Sequence, residues 1–351
     1  MPMADFPTRF ESTLDLARLP WFERRGDRLF LADRSIGPLV DVHTHLALAY
    51  VLPQRLDLRR EHAVTEHYLP VERRLDLDVY ANRNFSPEDL KRLERDLALG
   101  SLSAGGMRRT HTIPNLEREM RGLGVVRSVL LAIDFPVLSD NAGEWLEAAK
   151  GHEDLVVFGS VHPYRPNMER ELRRQVALGA RGIKVHPAVQ TVLPGDRRAM
   201  KLYALCARYR LPVLFHCGPV GIETRLGRRL SQVRHYFQPI ERNPDTTFVL
   251  GHSGALQMEQ ALEIARRYPN VYLEISSQSL TNVRRILDNA DTDRVLFGSD
   301  WPFYHQAIPL AKLLIATVGR EALRPKVLHE NAARLLGLDV AALRAGQTAR
   351  I

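Results

Sequence analysis

The chain has 351 residues, 45% hydrophobic and 26% charged, which is enough apolar material for two ordinary domains or one large α/β barrel. No run of about 18 apolar residues suggests a membrane span, the N-terminal stretch has no apolar core of a signal peptide, and Cys206 and Cys217 are too few for a disulfide framework, so a reducing cytoplasm is the expected location. The formal net charge is +8, but the arginines recur in pairs ("RRQ", "RRY", "RRI") among acidic residues, as on solvated helix faces, so neither nucleic acid nor membrane is expected as a partner.

Residues 1–37 read as an N-terminal extension, with a helix around 10–18 and a small hairpin near "RRGDRLFLADRS". The first strand-like run is "PLVDVHTH" (38–45). Residues 46–124 then intervene, far more than an ordinary βα connection needs. Within them "SPEDLKRLERDLAL" and "PNLEREMRGLG" read as helices. The second is the outer helix of the first βα unit, which leaves 46–112 as an insert over the barrel mouth. From residue 125 a rhythm of buried apolar runs sets in: "VVRSVLLAI" (125–133), "LVVFGSVH" (155–162), "RGIKVH" (181–186), "PVLFHCG" (212–218), "TFVLGHSG" (247–254), "VYLEIS" (271–276) and "RVLFGSD" (294–300). Amphipathic segments separate them. Eight such units make a (β/α)8 TIM barrel over 38–340. An open doubly wound sheet is the weaker expectation, because the Gly-rich dinucleotide loop it ordinarily carries is missing. "PKVLHENAARLLGL" reads as a final capping helix, and 341–351 as a C-terminal tail.

Active sites of this fold lie at the C-terminal ends of the strands. Strand alternation sends His43 and His45 to the same face. Of the 13 histidines, His43, His45, His162, His186, His216 and His252 fall at strand ends, and Asp300 closes the eighth run. His43, His45, His216 and Asp300 together form a donor set that encloses a divalent ion and leaves a position open for water or substrate. Such an ion lowers the pKa of its water to about 7, and Asp300 is placed both to touch the ion and to accept a proton. His252, one strand beyond His216, is placed to polarise a carbonyl or protonate a leaving group. Lys184 and His186 share a face toward the mouth, where a lysine suits an anionic substrate group. His162 is a third candidate substrate contact. Arg108, Arg109, His111 and Arg225 read rather as surface or capping residues.

The stretches "DVHTH", "GIKVHP", "LFHCG", "LGHSG", "LFGSDWPF" and "ENAARLLGL" span roughly 38–340. In combination they resemble the amidohydrolase superfamily, most closely its amidohydrolase-related branch that includes aminocarboxymuconate-semialdehyde decarboxylase. The resemblance implies a metal-dependent barrel, usually with zinc. Position by position, His43, His45, His216 and Asp300 resemble its metal ligands and His252 its catalytic histidine. One ion is usual in that branch. In binuclear members a carbamylated lysine of strand 4 bridges two metals, so a second ion held by carbamylated Lys184 is the alternative. Branch members often dimerise, which adds a homodimer to the expectations. The 46–124 insert matches nothing in the family.

The function expected is metal-dependent hydrolysis of an ester, lactone or amide bond in a small, carboxylate-bearing substrate. The rival is nonoxidative decarboxylation of an aromatic or unsaturated acid, which the same donor set would serve. A phosphoesterase or TatD-type deoxyribonuclease would call for a second carboxylate ligand. A non-catalytic metal-binding scaffold would call for missing ligands or a blocked mouth.

Overall fold

The computed structural model describes residues 6–50, 52, 54–135 and 138–349; the first five residues of the expected extension and the last two of the expected tail lie outside them. All eight expected runs form parallel strands: β1 (Leu39–Thr44), β2 (Val125–Leu131), β3 (Leu155–Phe158), β4 (Ile183–Val185), β5 (Val213–His216), β6 (Phe248–Gly251), β7 (Val271–Glu274) and β8 (Val295–Leu296). They are apolar on both faces because each is covered by side chains inside the ring and by helices outside it. The continuous ladders run β1–β2–β3 and β4 through β8.

Single parallel bridges close the ring between these two ladders. Gly159, just beyond β3, pairs with Ile183, and Lys184 N–H donates to Gly159 C=O at 2.8 Å. On the other side Thr44 pairs with Trp301, and Asp300 N–H donates to His43 C=O at 2.7 Å. The fold is a (β/α)8 barrel. Its outer helices are α1 (Ile113–Leu123), α2 (Asn141–Ala148), α3 (Met168–Ala177), α4 (Arg197–Arg208), α5 (Phe237–Arg242), α6 (Met258–Arg267), α7 (Leu280–Asn289) and α8 (Ala307–Ala316).

The sequence runs are longer than the strands. β8 is only two residues long, because the chain leaves the ladder at Phe297 to bring Asp300 in at φ 65°. In the N-terminal extension the expected helix is a 3-10 turn, Thr13–Arg18, whose preceding Ser12 makes no side-chain cap. The hairpin forms between Phe22–Arg25 and Arg28–Leu31.

The insert lies over the C-terminal ends of the strands. Tyr68 and Leu69 N–H groups donate to Pro302 and Phe303 C=O, Ala81 N–H to Ser277 C=O, and the Asn82 amide to Val220 C=O. These acceptors belong to the loops after β8, β7 and β5. The insert helix Pro87–Leu99 starts with a capping box in which Ser86 and Asp89 satisfy each other's backbone N–H groups.

At the opposite end Val249 and Leu214, each two residues before a strand end, join an apolar cluster with Ala332, Leu336 and Leu343. The run 323–336 is helical throughout, with a π turn at Lys326–Glu330, and residues of the expected tail form a further helix, Val340–Ala349. Among the described residues no helix is long and apolar enough to cross a membrane.

Candidate metal centre

β1 and the residue just past it carry His43 and His45 into the mouth of the barrel. His43 Nδ1 lies 2.7 Å from Glu274 Oε2, and His45 Nδ1 donates to Leu131 C=O at 2.8 Å. With Nδ1 engaged, each ring turns Nε2 toward Asp300, whose Oδ1 is 3.6 Å from His43 Nε2 and 3.4 Å from His45 Nε2. One atom from each of His43, His45 and Asp300 falls within 4.8 Å of the other two. His216 stands outside that set. Its ring stacks on His186 at 3.9 Å and 7°, and meets His252 edge-on at 4.9 Å. The His252 ring is 4.6 Å from that of His43.

Burial keeps the rings of His43, His186, His216 and His252 neutral. It holds His43, His186 and His252 well below the usual histidine range, with the neighbouring cations Lys184 and the other imidazoles acting the same way, and it brings His216 down to about 3. A neutral imidazole offers one lone pair, which is the form a metal ligand or a base requires. The imidazole nitrogens of His43 and His45 and a carboxylate oxygen of Asp300, on residues 1%, 4% and 8% exposed, suit a divalent metal ion. His252 and Asp300 both sit at positive φ, 55° and 65°. Such strain in non-glycine residues persists only where surrounding contacts enforce it, and it clusters at functional sites.

Lys184, also fully buried, places Nζ 3.2 Å from His43 Nε2. Burial lowers its pKa to about 8, against the opposing pull of Asp300 and Glu274. His186 Nδ1 accepts from Val189 N–H at 3.3 Å, which leaves the ring hydrogen on Nε2 as a donor.

Three sequence readings change. His162 is not available to a substrate: Nε2 donates to Gln190 C=O at 2.9 Å and Nδ1 accepts from Tyr164 N–H at 3.1 Å. A neutral imidazole has no further hydrogen-bonding capacity. Arg108 is no surface residue, being 1% exposed and spending its guanidinium on Leu48 and Gly100 C=O and on the Gln54 side chain, which ties the insert together. His111 is buried likewise, bonded to Glu66 C=O, whereas Arg109 pairs with Glu66 and Arg225 opens a short surface helix.

The sequence reading passed over Glu274. It is completely buried at the end of β7, and burial raises its pKa to about 7 against several hydrogen bonds that favour the charged form. Its signal was the only charge in "VYLEIS", on the inward-facing side of the strand.

The amidohydrolase family model matches residues 40–338. No curated protein matches the chain. An uncharacterized TIM-barrel protein from Bordetella bronchiseptica is 19% identical over 85% of this chain and 99% of its own, with a TM-score of 0.58. A probable 2-pyrone-4,6-dicarboxylic acid hydrolase from Acinetobacter baumannii, with citric acid bound, is 14% identical over 86% and 99%, at 0.52. The 5-carboxyvanillate decarboxylase of Novosphingobium aromaticivorans, complexed with manganese and a nitrobenzoic acid, is 14% identical over 85% and 99%, at 0.53. At these identities the likeness is one of fold.

Proposed function

The chain belongs to the amidohydrolase family, and we propose that it is a metal-dependent hydrolase that cleaves an ester, lactone or amide bond of a small carboxylate-bearing substrate. The observation that carries this reading is the convergence of His43, His45 and Asp300 within 4.8 Å beside the neutral ring of His252. Zinc is the ion proposed, held by His43, His45 and Asp300 with His216 as the further imidazole. When bound, it would supply an acidified water and Lewis acidity toward an acyl oxygen. Asp300 is the ionisable oxygen at the centre of the set and takes a proton from attacking water. His252, kept neutral by burial, carries a proton to or from the reacting group. Lys184, in β4, and the Nε2–H of His186, one residue past it, are the donors that hold the substrate carboxylate. The insert closes over them and shapes the remainder of the pocket.

Turnover of a panel of carboxylate-bearing esters, lactones and amides in 18O-labelled water tests the reaction class. The expected result is one labelled oxygen in the acid product and no carbon dioxide. Release of carbon dioxide without label would instead assign a decarboxylase, the reading that the fold of the carboxyvanillate enzyme makes the next to examine.

The role of Lys184 is tested separately. Lys184→Ala should leave the metal content unchanged and raise KM by about 10- to 100-fold, the worth of one charge-assisted hydrogen bond. A drop from two bound ions to one, measured by elemental analysis, would mean that a carbamylated Lys184 bridges metals.

A further inference from the structure

We propose that Glu274 and Ser276, at the end of β7, are positioning residues that fix the tautomers of His43 and His252 together; this rests on the metal-dependent reading of the site. Both carboxylate oxygens of Glu274 face backbone N–H groups, Ser276 N–H at Oε1 and His252 N–H at Oε2, 3.1 Å away. A backbone N–H can only donate, so each Glu274 oxygen accepts a hydrogen bond, and as an ionised carboxylate Glu274 is an acceptor on both sides.

The rest follows by elimination. Beside an ionised Glu274, His43 Nδ1, 2.7 Å from Oε2, brings the hydrogen to that contact, and the lone pair of the neutral ring is then on Nε2, toward Asp300. Ser276 Oγ is 2.8 Å from the same Oε2 and gives it the hydroxyl hydrogen. The serine oxygen therefore accepts from His252 Nδ1, also at 2.8 Å. His252 in turn exposes an Nε2 that can take a proton. One carboxylate thus prepares a ligand directly and a base through a hydroxyl.

The packing is built for this arrangement. A Cβ at Gly298 would stand 2.3 Å from Glu274 Oε1 and 2.8 Å from His43 Cβ, so the glycine leaves room for the two side chains to meet. The same hydrogen bonds exclude Glu274 as a free metal ligand, although it groups with His43 and His252 within 4.8 Å.

The test uses metal-free full-length protein, zinc titrated against a competing chelator, and 15N NMR of the histidine rings. In the wild type His43 and His252 should both carry hydrogen on Nδ1, and one zinc should bind. Glu274→Gln turns one oxygen into a donor facing N–H groups; it should weaken zinc binding by about 10- to 100-fold, the usual cost of losing the partner that orients a ligand, and release His43 from the Nδ1–H form. Ser276→Ala should keep zinc affinity within about twofold while kcat falls by about 10-fold or more at constant KM, with the Nδ1–H signature of His252 lost. Hydrogen on Nε2 of either wild-type ring would overturn the proposal, whether or not Glu274→Gln folds. So would equal zinc affinity in Glu274→Gln, or an equal loss of zinc in both variants. If the wild type binds no zinc the metal reading itself fails, and the ring signals in the metal-free protein still decide the positioning role.

Discussion

Purified His43→Ala protein should retain less than about a tenth of the wild-type metal and turn over substrate at least about 10³-fold more slowly. The size of the effect follows from how much meets at this one ring. Its Nε2 faces Asp300 at 3.6 Å and Lys184 at 3.2 Å, its Nδ1 meets Glu274 at 2.7 Å, and its ring centre lies 4.6 Å from that of His252. Alanine removes a donor atom and also leaves Glu274, buried to the last atom, short of one hydrogen bond. A buried carboxylate that loses one of its hydrogen bonds is destabilised even with the others intact, so the variant should also unfold at a lower temperature. Circular dichroism at the assay temperature separates a folded, metal-poor protein from an unfolded one. Folded His43→Ala that holds a full complement of metal would remove His43 from the ligand set.

The barrel was legible because its strands are largely apolar on both faces, so they read as short apolar runs, most of them ending in a polar residue. The histidine at the end of such a run stands out against Val, Leu and Phe, and this is why His43, His45, His216 and His252 could be picked from 13 histidines. The same rule also selected His186 and His162, and both ring nitrogens of His162 are engaged by backbone groups. Whether a ring nitrogen is free depends on where the backbone of Tyr164 and Gln190 passes, and loop geometry leaves no periodic trace in sequence. Glu274 failed in the opposite direction. A glutamate at a strand end has many uses, and its partner His43 lies 231 positions away. In the insert, the run "SPEDLKRLERDLAL" announced the helix Pro87–Leu99, which starts with a capping box. The rest of the described insert is 3-10 turns, loops and the two-residue strand Leu75–Asp76, tied by the buried guanidinium of Arg108, and nothing in the spacing of an arginine distinguishes that use from a solvated one.

His252→Asn is the substitution that separates holding a metal from doing chemistry. Asparagine tolerates the left-handed backbone at φ 55° better than most residues, and its amide can still donate to Ser276 Oγ as Nδ1–H does. What it lacks is a group that takes up a proton. The variant should therefore keep its metal and melt within about 2 °C of the wild type, since the change removes little packing. Its kcat should drop by about 10²- to 10⁴-fold, the range for losing a general acid or base, with KM little altered because the anion-binding side at Lys184 and His186 is untouched. A loss of metal alongside activity would make His252 a ligand, in line with its 4.6 Å approach to His43. Turnover near the wild-type rate would leave Asp300 as the one proton carrier at the centre and His252 as a wall of the pocket.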